Sequence, residues 1–308
     1  INKQNLGLNM KKKILVVGGT GFIGHHFLKK SVNKYDVYSL SINKIKKSKK
    51  INKVKYFRGD ISSMKSLKKV LKSNKFDYVV NLGGYINHID KQLANKTHLN
   101  GCKNLINFFK NKKIKLFIQI GSSTEYGKQK SPNIETLGGK PSTIYAKAKL
   151  DASKFLFNFT RKNYFPFTIL RFYQVYGPEQ KKNRLIPIVI DSCLKKSEFK
   201  CSSGLQVKDF LYVDDAVDAI LKCFKNKKII NNVINIGSGQ KISIKNLILK
   251  IVKKIGHGQP IFGALKRRLD EPLISYPSIN KAKKILLWSP KIKLDEGLKK
   301  TIRYYKNK

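Results

Sequence analysis

Three scarcities bound this 308-residue chain before any motif is read. No apolar run approaches the ~20 residues of a membrane-spanning helix, which argues against a helical membrane protein. The N-terminus also lacks the apolar stretch and small-residue cleavage site of a secretory signal. Cysteine is sparse: Cys102, Cys193, Cys201 and Cys223 show no Cys-x-x-Cys spacing and no histidine at ligand spacing. That pattern argues against a metal site or disulfide framework and predicts reduced, buried thiols in a cytoplasmic protein. Arginine is the third scarcity, at seven of 65 basic residues.

The arginine count matters because the formal net charge is +47. Proteins that read bases favour arginine forks and exposed aromatic platforms. Here lysine is spread over nearly every expected helix and loop, among many asparagines and isoleucines, with no such cluster. The charge therefore predicts no specific nucleic-acid partner. It predicts adhesion to RNA at low salt and attraction of anionic substrates.

What is present is a βα rhythm. Lys13–Gly18 is a short β-branched run ending in glycine, which predicts a buried parallel strand, and helical spacing follows over Phe22–Lys30. Further strands are expected at Asp36–Ser41, Val54–Arg58, Tyr78–Leu82, Leu116–Ile120 and Thr168–Phe172, with helical patterns between most of them. Alternating strands and helices imply right-handed βαβ units. The fold expected is α/β: a Rossmann doubly wound parallel sheet over residues 11–175, with a smaller C-terminal α/β lobe over 176–308. Some strands of the lobe should return to the sheet. In the lobe, helices are expected near Leu185–Lys195, after Asp214-Asp215, near Ser243–Ile255 and near Ser278–Leu286, with a strand at Val233–Ile236. Residues Ile1–Asn9, ahead of Met10, read as an extension outside the fold.

Gly18-Gly19-Thr20-Gly21-Phe22-Ile23-Gly24 follows a strand and opens a helix, the context a dinucleotide fingerprint requires. Gly18, Gly21 and Gly24 supply a tight turn, close backbone approach to a pyrophosphate and close helix–strand packing, and the helix N-terminus supplies amide donors. The end of the second strand decides the cofactor. A carboxylate there would favour NAD, but the slot is Ser41, followed by Lys44, Lys46 and Lys47, so NADP is expected, with NAD possible. Asp60 is placed either to accept from an adenine amino group or to cap a helix.

Tyr145-x-x-x-Lys149 sits on an expected helix, with Ser122 on a turn closing another expected strand. Reducing a ketone needs a hydride at carbon and a proton at oxygen. A phenol begins near pKa ~10. Lys149, one turn from Tyr145 on the same face, is expected to lower that value, and Ser122 to stabilise charge on the same oxygen. The three together predict a hydride-transfer site.

These motifs resemble those of the extended short-chain dehydrogenase/reductases of the NAD-dependent epimerase/dehydratase family. The resemblance is carried by Gly18–Gly24, Gly59-Asp60, Ile120–Gly127, Tyr145-x-x-x-Lys149, Leu170-Arg171, Val175–Pro178, Asp209–Asp215 and Arg268 with Glu271, which span most of the chain in order. It implies a nucleotide-sugar substrate, a homodimer formed through the two helices flanking the fifth strand, and a part in surface-polysaccharide sugar biosynthesis. It also implies a cofactor site that includes Thr20, Phe22, Ile23, Ile61 and Leu82, and substrate contacts at Ser123, Thr124, Gln174, Arg184, Lys208 and Arg268.

Departures narrow the chemistry. The glutamate that family 4,6-dehydratases carry two residues before Tyr-Gly is Thr124 here, with Glu125 one residue too late. The histidine after Tyr-Gly-Pro in fucose-synthase-type enzymes is Glu179, and the family's Asn-x-x-Gly opens with His98, a slot more often filled by packing than by catalysis. Gln174 replaces a family asparagine and Lys208 a family arginine. The region after Arg184, including Phe262-Gly263-Ala264, is similar to CDP-abequose-synthase-like 4-ketoreductases. The expectation is a nucleotide-sugar 4-ketoreductase, with a C4 epimerase holding NAD tightly as the alternative.

Overall fold

The computed structural model describes residues 11–72, 74–84, 91–267 and 271–308. In chain order, the first half contains β1 (Lys13–Val17), α1 (Phe22–Ser31), β2 (Asp36–Ser41), β3 (Val54–Arg58), α2 (Met64–Leu71) and β4 (Tyr78–Asn81). It continues through α3 (Lys91–Asn95), a π-helical turn over Lys96–Asn100, α4 (Gly101–Phe109), β5 (Leu116–Ser122), α5 (Ile144–Thr160) and β6 (Phe167–Phe172). The second half contains β7 (Gln174–Tyr176), α6 (Leu185–Leu194), β8 (Glu198–Lys200), β9 (Val207–Lys208), β10 (Phe210–Tyr212), α7 (Val213–Cys223) and β11 (Asn232–Ile236). It ends with β12 (Ile242–Ser243), α8 (Ile244–Ile255), β13 (Gln259–Ile261), β14 (Ile274–Ser275) and α9 (Leu294–Lys306).

Seven strands form one sheet in the order β11-β6-β5-β4-β1-β2-β3. Every neighbouring pair in it is parallel. This is the expected doubly wound sheet, and β11 is a strand of the second half that returns to it. Successive side chains of a strand point to opposite faces, so Ile14 and Val16 pack with Phe27, Val217, Ile220 and Trp288 on one side. Leu15 and Val17 pack with Leu67, Leu105, Phe109 and Leu156 on the other. A third core joins Ile186, Ile190, Leu247, Ile251 and Leu298 in the second half. Burying each such side chain stabilises the fold by ~1.5–3 kcal/mol.

The strand order reverses between β4 and β1. A crevice therefore opens at the carboxyl ends of the strands there, where ligands bind in sheets of this kind. The segments following β1, β4, β5 and β6 carry the expected site residues. All four cysteines are buried and unbridged. Desolvation, opposed by the Lys149 charge, pushes the Cys102 thiol up to about 12, and desolvation with the neighbouring Cys201 pushes that of Cys193 to about 11.

Candidate active site

The glycine turn is built for close approach. Gly18 has φ +77°, and a Cβ there would lie 2.9 Å from the Leu82 carbonyl carbon. A Cβ on Gly24 would lie 2.3 Å from the Gly18 oxygen, so α1 packs against the turn more closely than alanine permits. Gly21 is the N-cap residue of α1, with no side-chain cap and no acidic residue in the first turn. The free amides and dipole of Phe22 and Ile23 thus face outward, a cradle suited to a pyrophosphate. Thr20 Oγ1 donates to Ser41 Oγ at 3.0 Å, tying the turn to the end of β2. Lys44, Lys46 and Lys47 are exposed beyond it. Ile61 is buried and Leu82 half-buried on the next two loops. Asp60 Oδ1 accepts from the Ser62 amide at 2.8 Å, while Ser63 caps α2. The helix-capping role expected as an alternative for Asp60 therefore belongs to Ser63. Asp60 shapes the turn just before it.

The catalytic candidates meet where β5 ends. Ser122 is the N-cap of a short 3₁₀ turn over Ser123–Tyr126, with a reciprocal capping box. Ser122 Oγ accepts from the Thr124 amide at 3.2 Å and lies 2.8 Å from Thr124 Oγ1. Tyr145 sits in the first turn of α5, which Thr143 caps through the Ala146 amide at 3.1 Å. Lys149, one turn further on, donates to the Ile120 carbonyl at 2.7 Å. Its ammonium lies 6.0 Å from the centre of the Tyr145 ring. His98, on the π-helical turn, is buried and meets that ring edge-on with centroids 4.9 Å apart.

One expectation needs correction. Burial leaves the Tyr145 phenol above its ordinary value. The influences that pull it down are a hydrogen bond with Ser122 and the Arg184 charge, while Glu125 pushes it up. Lys149 does not supply the lowering expected of it. Its nitrogen is tethered to the Ile120 carbonyl, and desolvation brings its own pKa down to about 8, against the support of Glu125.

Glu125 is the residue the motifs did not place. It is fully buried, accepting from the Ser122 amide at 2.8 Å, Ser153 Oγ at 2.9 Å and Arg171 Nε at 3.0 Å. Arg171 lies 4.6 Å over the Tyr126 ring. One signal was readable: Arg171 interrupts the otherwise apolar strand FTILRF, and a cation on a buried strand demands a carboxylate.

The outer residues divide. Ser123 is buried; Thr124 and Arg184 are half-buried; Gln174 is exposed. Arg184 is the N-cap residue of α6 and reaches Tyr145 through its field. Lys208 is buried and donates to the Pro272 carbonyl at 2.7 Å. Glu179 turns toward α1, pairing with Lys29 at 2.6 Å and His25 at 3.3 Å. Arg268 lies outside the described residues.

A glycine cradle at the switch point of a parallel sheet, with serine, tyrosine and lysine converging beside it, defines a Rossmann protein of the dinucleotide-dependent type. The chain belongs to the NAD dependent epimerase/dehydratase family, whose model matches residues 14–237. The resemblance read from the motifs is thus borne out. The dTDP-D-glucose 4,6-dehydratase of Homo sapiens is 28% identical over 320 residues, covering 96% of this chain and 90% of that protein. CDP-abequose synthase of Salmonella typhimurium is 31% identical over 144 residues, 44% of this chain and 48% of that one. The crystal structure of UDP-glucuronic acid 4-epimerase from Bacillus cereus, in complex with UDP-glucuronic acid and NAD, superposes with a TM-score of 0.87 at 27% identity. That match covers 96% of this chain and 99% of the other.

Proposed function

We propose that this chain is a nucleotide-sugar oxidoreductase that reduces a 4-keto (deoxy)sugar nucleotide with NADPH. The observation that carries the reading is the pairing of the Ser122–Tyr145–Lys149 group with an acid turned the wrong way. Glu125 points into the core at Arg171, leaving the hydroxyl of Thr124 beside Ser122 where a dehydratase would need a carboxyl. Redox at one carbon then remains.

The turn from Gly18 to Gly24 fits a dinucleotide's pyrophosphate because it leads straight into the N-terminus of α1 and is drawn too tight for a larger residue, a Cβ at Gly18 or Gly24 striking the backbone of Leu82 or of Gly18. When bound, the nicotinamide supplies the hydride. Tyr145 gives its phenolic proton to the carbonyl oxygen. Its raised pKa keeps that proton in place at neutral pH. Ser122 would hydrogen-bond the same oxygen, and Lys149 would hold the nicotinamide ribose hydroxyls. Ser41, with Lys44, Lys46 and Lys47, supports NADP, since no acid repels a 2′-phosphate there. Arg184 and Arg268 would face the diphosphate, and Ser123, Thr124, Gln174 and Lys208 the sugar nucleotide; residues 11–175 would hold the cofactor and contribute three of these substrate contacts, and 176–308 would serve mainly the substrate.

The test is a panel of nucleoside-diphosphate 4-keto-6-deoxysugars mixed with protein and NADPH, following loss of the reduced nicotinamide's absorbance. No oxidation with any of them counts against reduction. A second reading, a C4 epimerase, is favoured by the fold match to an epimerase crystallised with NAD. It predicts purified protein carrying stoichiometric NAD and interconverting sugars without net redox. We also propose a cytoplasmic homodimer joined through α4 and α5, on a face that includes Leu99, Phe155 and Asn158. A monomer by light scattering at micromolar concentration would refute the dimer.

A further inference from the structure

Behind the cleft lies an ion pair that stability alone does not explain. Glu125 and Arg171 are both buried, and such a pair is commonly no more stabilising than apolar residues of similar size. Its placement is informative. Taking Ser122, Tyr145 and Lys149 as the catalytic group, on which this inference rests, we propose that Glu125 is the positioning residue of the site. Its one carboxylate fixes the strand end that carries Ser122 relative to the helix that carries Tyr145 and Lys149.

The bonds divide accordingly. Oε1 holds the backbone amide of Ser122 at 2.8 Å, which fixes the direction of the Ser122 side chain. Oε2 accepts from Ser153 Oγ at 2.9 Å, and the same hydroxyl lies 3.1 Å from the Lys149 carbonyl, so the carboxylate grips α5 one turn beyond Lys149. Arg171 supplies the third bond from β6, a charge-assisted one at 3.0 Å. Three elements that must agree to within a fraction of an ångström thus share one anion, the kind of support on which a preorganised site depends.

The charge acts as well as the shape. Around Lys149 the charged and titratable neighbours are Glu125, which favours the ammonium, and Cys102; around Tyr145 they are Glu125, Arg184 and the edge-on His98. The carboxylate therefore keeps both the ammonium and the phenol protonated to higher pH. Removing its charge lets both lose their protons at lower pH.

Glu125→Gln tests this in two ways. The first needs no substrate: full-length protein labelled with [ε-¹³C]lysine is titrated by NMR, and the Lys149 resonance is assigned with Lys149→Arg. Lys149 should titrate near about 8 in the native chain and about one pH unit or more lower in Glu125→Gln. An unchanged Lys149 titration in folded Glu125→Gln overturns the proposal whatever sugar the enzyme takes. The second follows turnover of whichever nucleotide sugar the panel identifies. There kcat should fall roughly ten- to a hundredfold with KM within about twofold, and both limbs of the pH profile should move to lower pH. A wild-type kcat and profile also overturn the proposal. If Glu125→Gln does not fold, the uncharged double variant Glu125→Gln/Arg171→Gln takes its place, with the same lowered kcat expected. If that folds with wild-type kcat, or if neither folds, the pair is a stability device and the proposal fails.

Discussion

Lys149 is a buried lysine whose burial can be weighed against its use. Its folded pKa of about 8 lies about 2.5 pH units below the ordinary 10.5. At ~1.4 kcal/mol per unit, the buried charge costs about 3 kcal/mol at neutral pH. That cost is net of the hydrogen bond to the Ile120 carbonyl, which favours the ammonium. Replacing Lys149 by methionine removes the charge, the bond and the titration together. The pH dependence of the difference between the two proteins isolates the titration. Below pH 8 the lysine is protonated folded and unfolded alike, and the difference in stability between native and Lys149→Met is flat. Between pH 8 and 10.5 the unfolded chain binds the extra proton, so native stability rises with pH relative to the variant. The total gain is about 3 kcal/mol, or roughly 5 °C in Tm for a chain of this size. The assay is paired thermal melts of the two proteins from pH 6 to above 10. A difference that stays flat through that window refutes the assignment of a depressed lysine. Turnover in Lys149→Met should be lost whatever its Tm.

Three further outcomes are expected. Tyr145→Phe should lower turnover by roughly 10²–10⁴ while NADPH affinity, read by fluorescence titration, stays within about twofold. Gly24→Ala places a methyl 2.3 Å from the Gly18 oxygen and should weaken NADPH binding more than tenfold, with a loss of about 1–3 kcal/mol of stability in thermal melts. Ser41→Asp sets a like charge against a 2′-phosphate and should move the NADPH/NADH ratio of kcat/KM toward NADH by at least roughly tenfold; an unchanged ratio would remove the argument for NADP.

The sheet was legible because parallel strands buried on both faces read as continuous β-branched runs. Asp36–Ser41 and Val54–Arg58 coincide with β2 and β3, and β1, β4 and β6 differ from their expected bounds by one residue at one end. β5 runs two residues past the expected Ile120 because the strand carries Ser122 itself into the turn. The helix α9 was not expected. It carries Gly297 in its first turn, where a side chain would strike the Tyr176 hydroxyl, and only Gly297, Leu298 and Thr301 along it are buried. Strands of two or three residues such as β9, β12 and β14 are too short for any periodicity and exist by tertiary pairing. In the site, Ser122, Tyr145 and Lys149 were readable from local motifs, and the fold brings them together. The electrostatics were not readable, because the groups that act on Tyr145 include Glu125, Arg184 and Ser122, which are distant from it in the chain.

On the proposed reading, the position of one carboxylate says more about the reaction than overall identity does. Immediately after a strand end, successive side chains of a tight turn point in different directions, so a shift of one residue exchanges cleft for core. Thr124 places its hydroxyl on Ser122 Oγ, while its neighbour Glu125 reaches back under the strand to Arg171. An acid at 124 would stand where substrate protons move. An acid at 125 instead becomes part of the scaffold, neutralised by guanidinium and occupied by three donors. Likeness to a 4,6-dehydratase over 96% of the chain supports the shared fold and family; on the proposed reading it does not extend to water elimination. The same reasoning applies at Glu179, whose carboxylate is held by Lys29 and His25 on α1. In both places the framework holds the acid, and on the proposed reading Ser122, Thr124, Tyr145 and Lys149 remain beside the substrate, a set suited to moving a proton onto an oxygen.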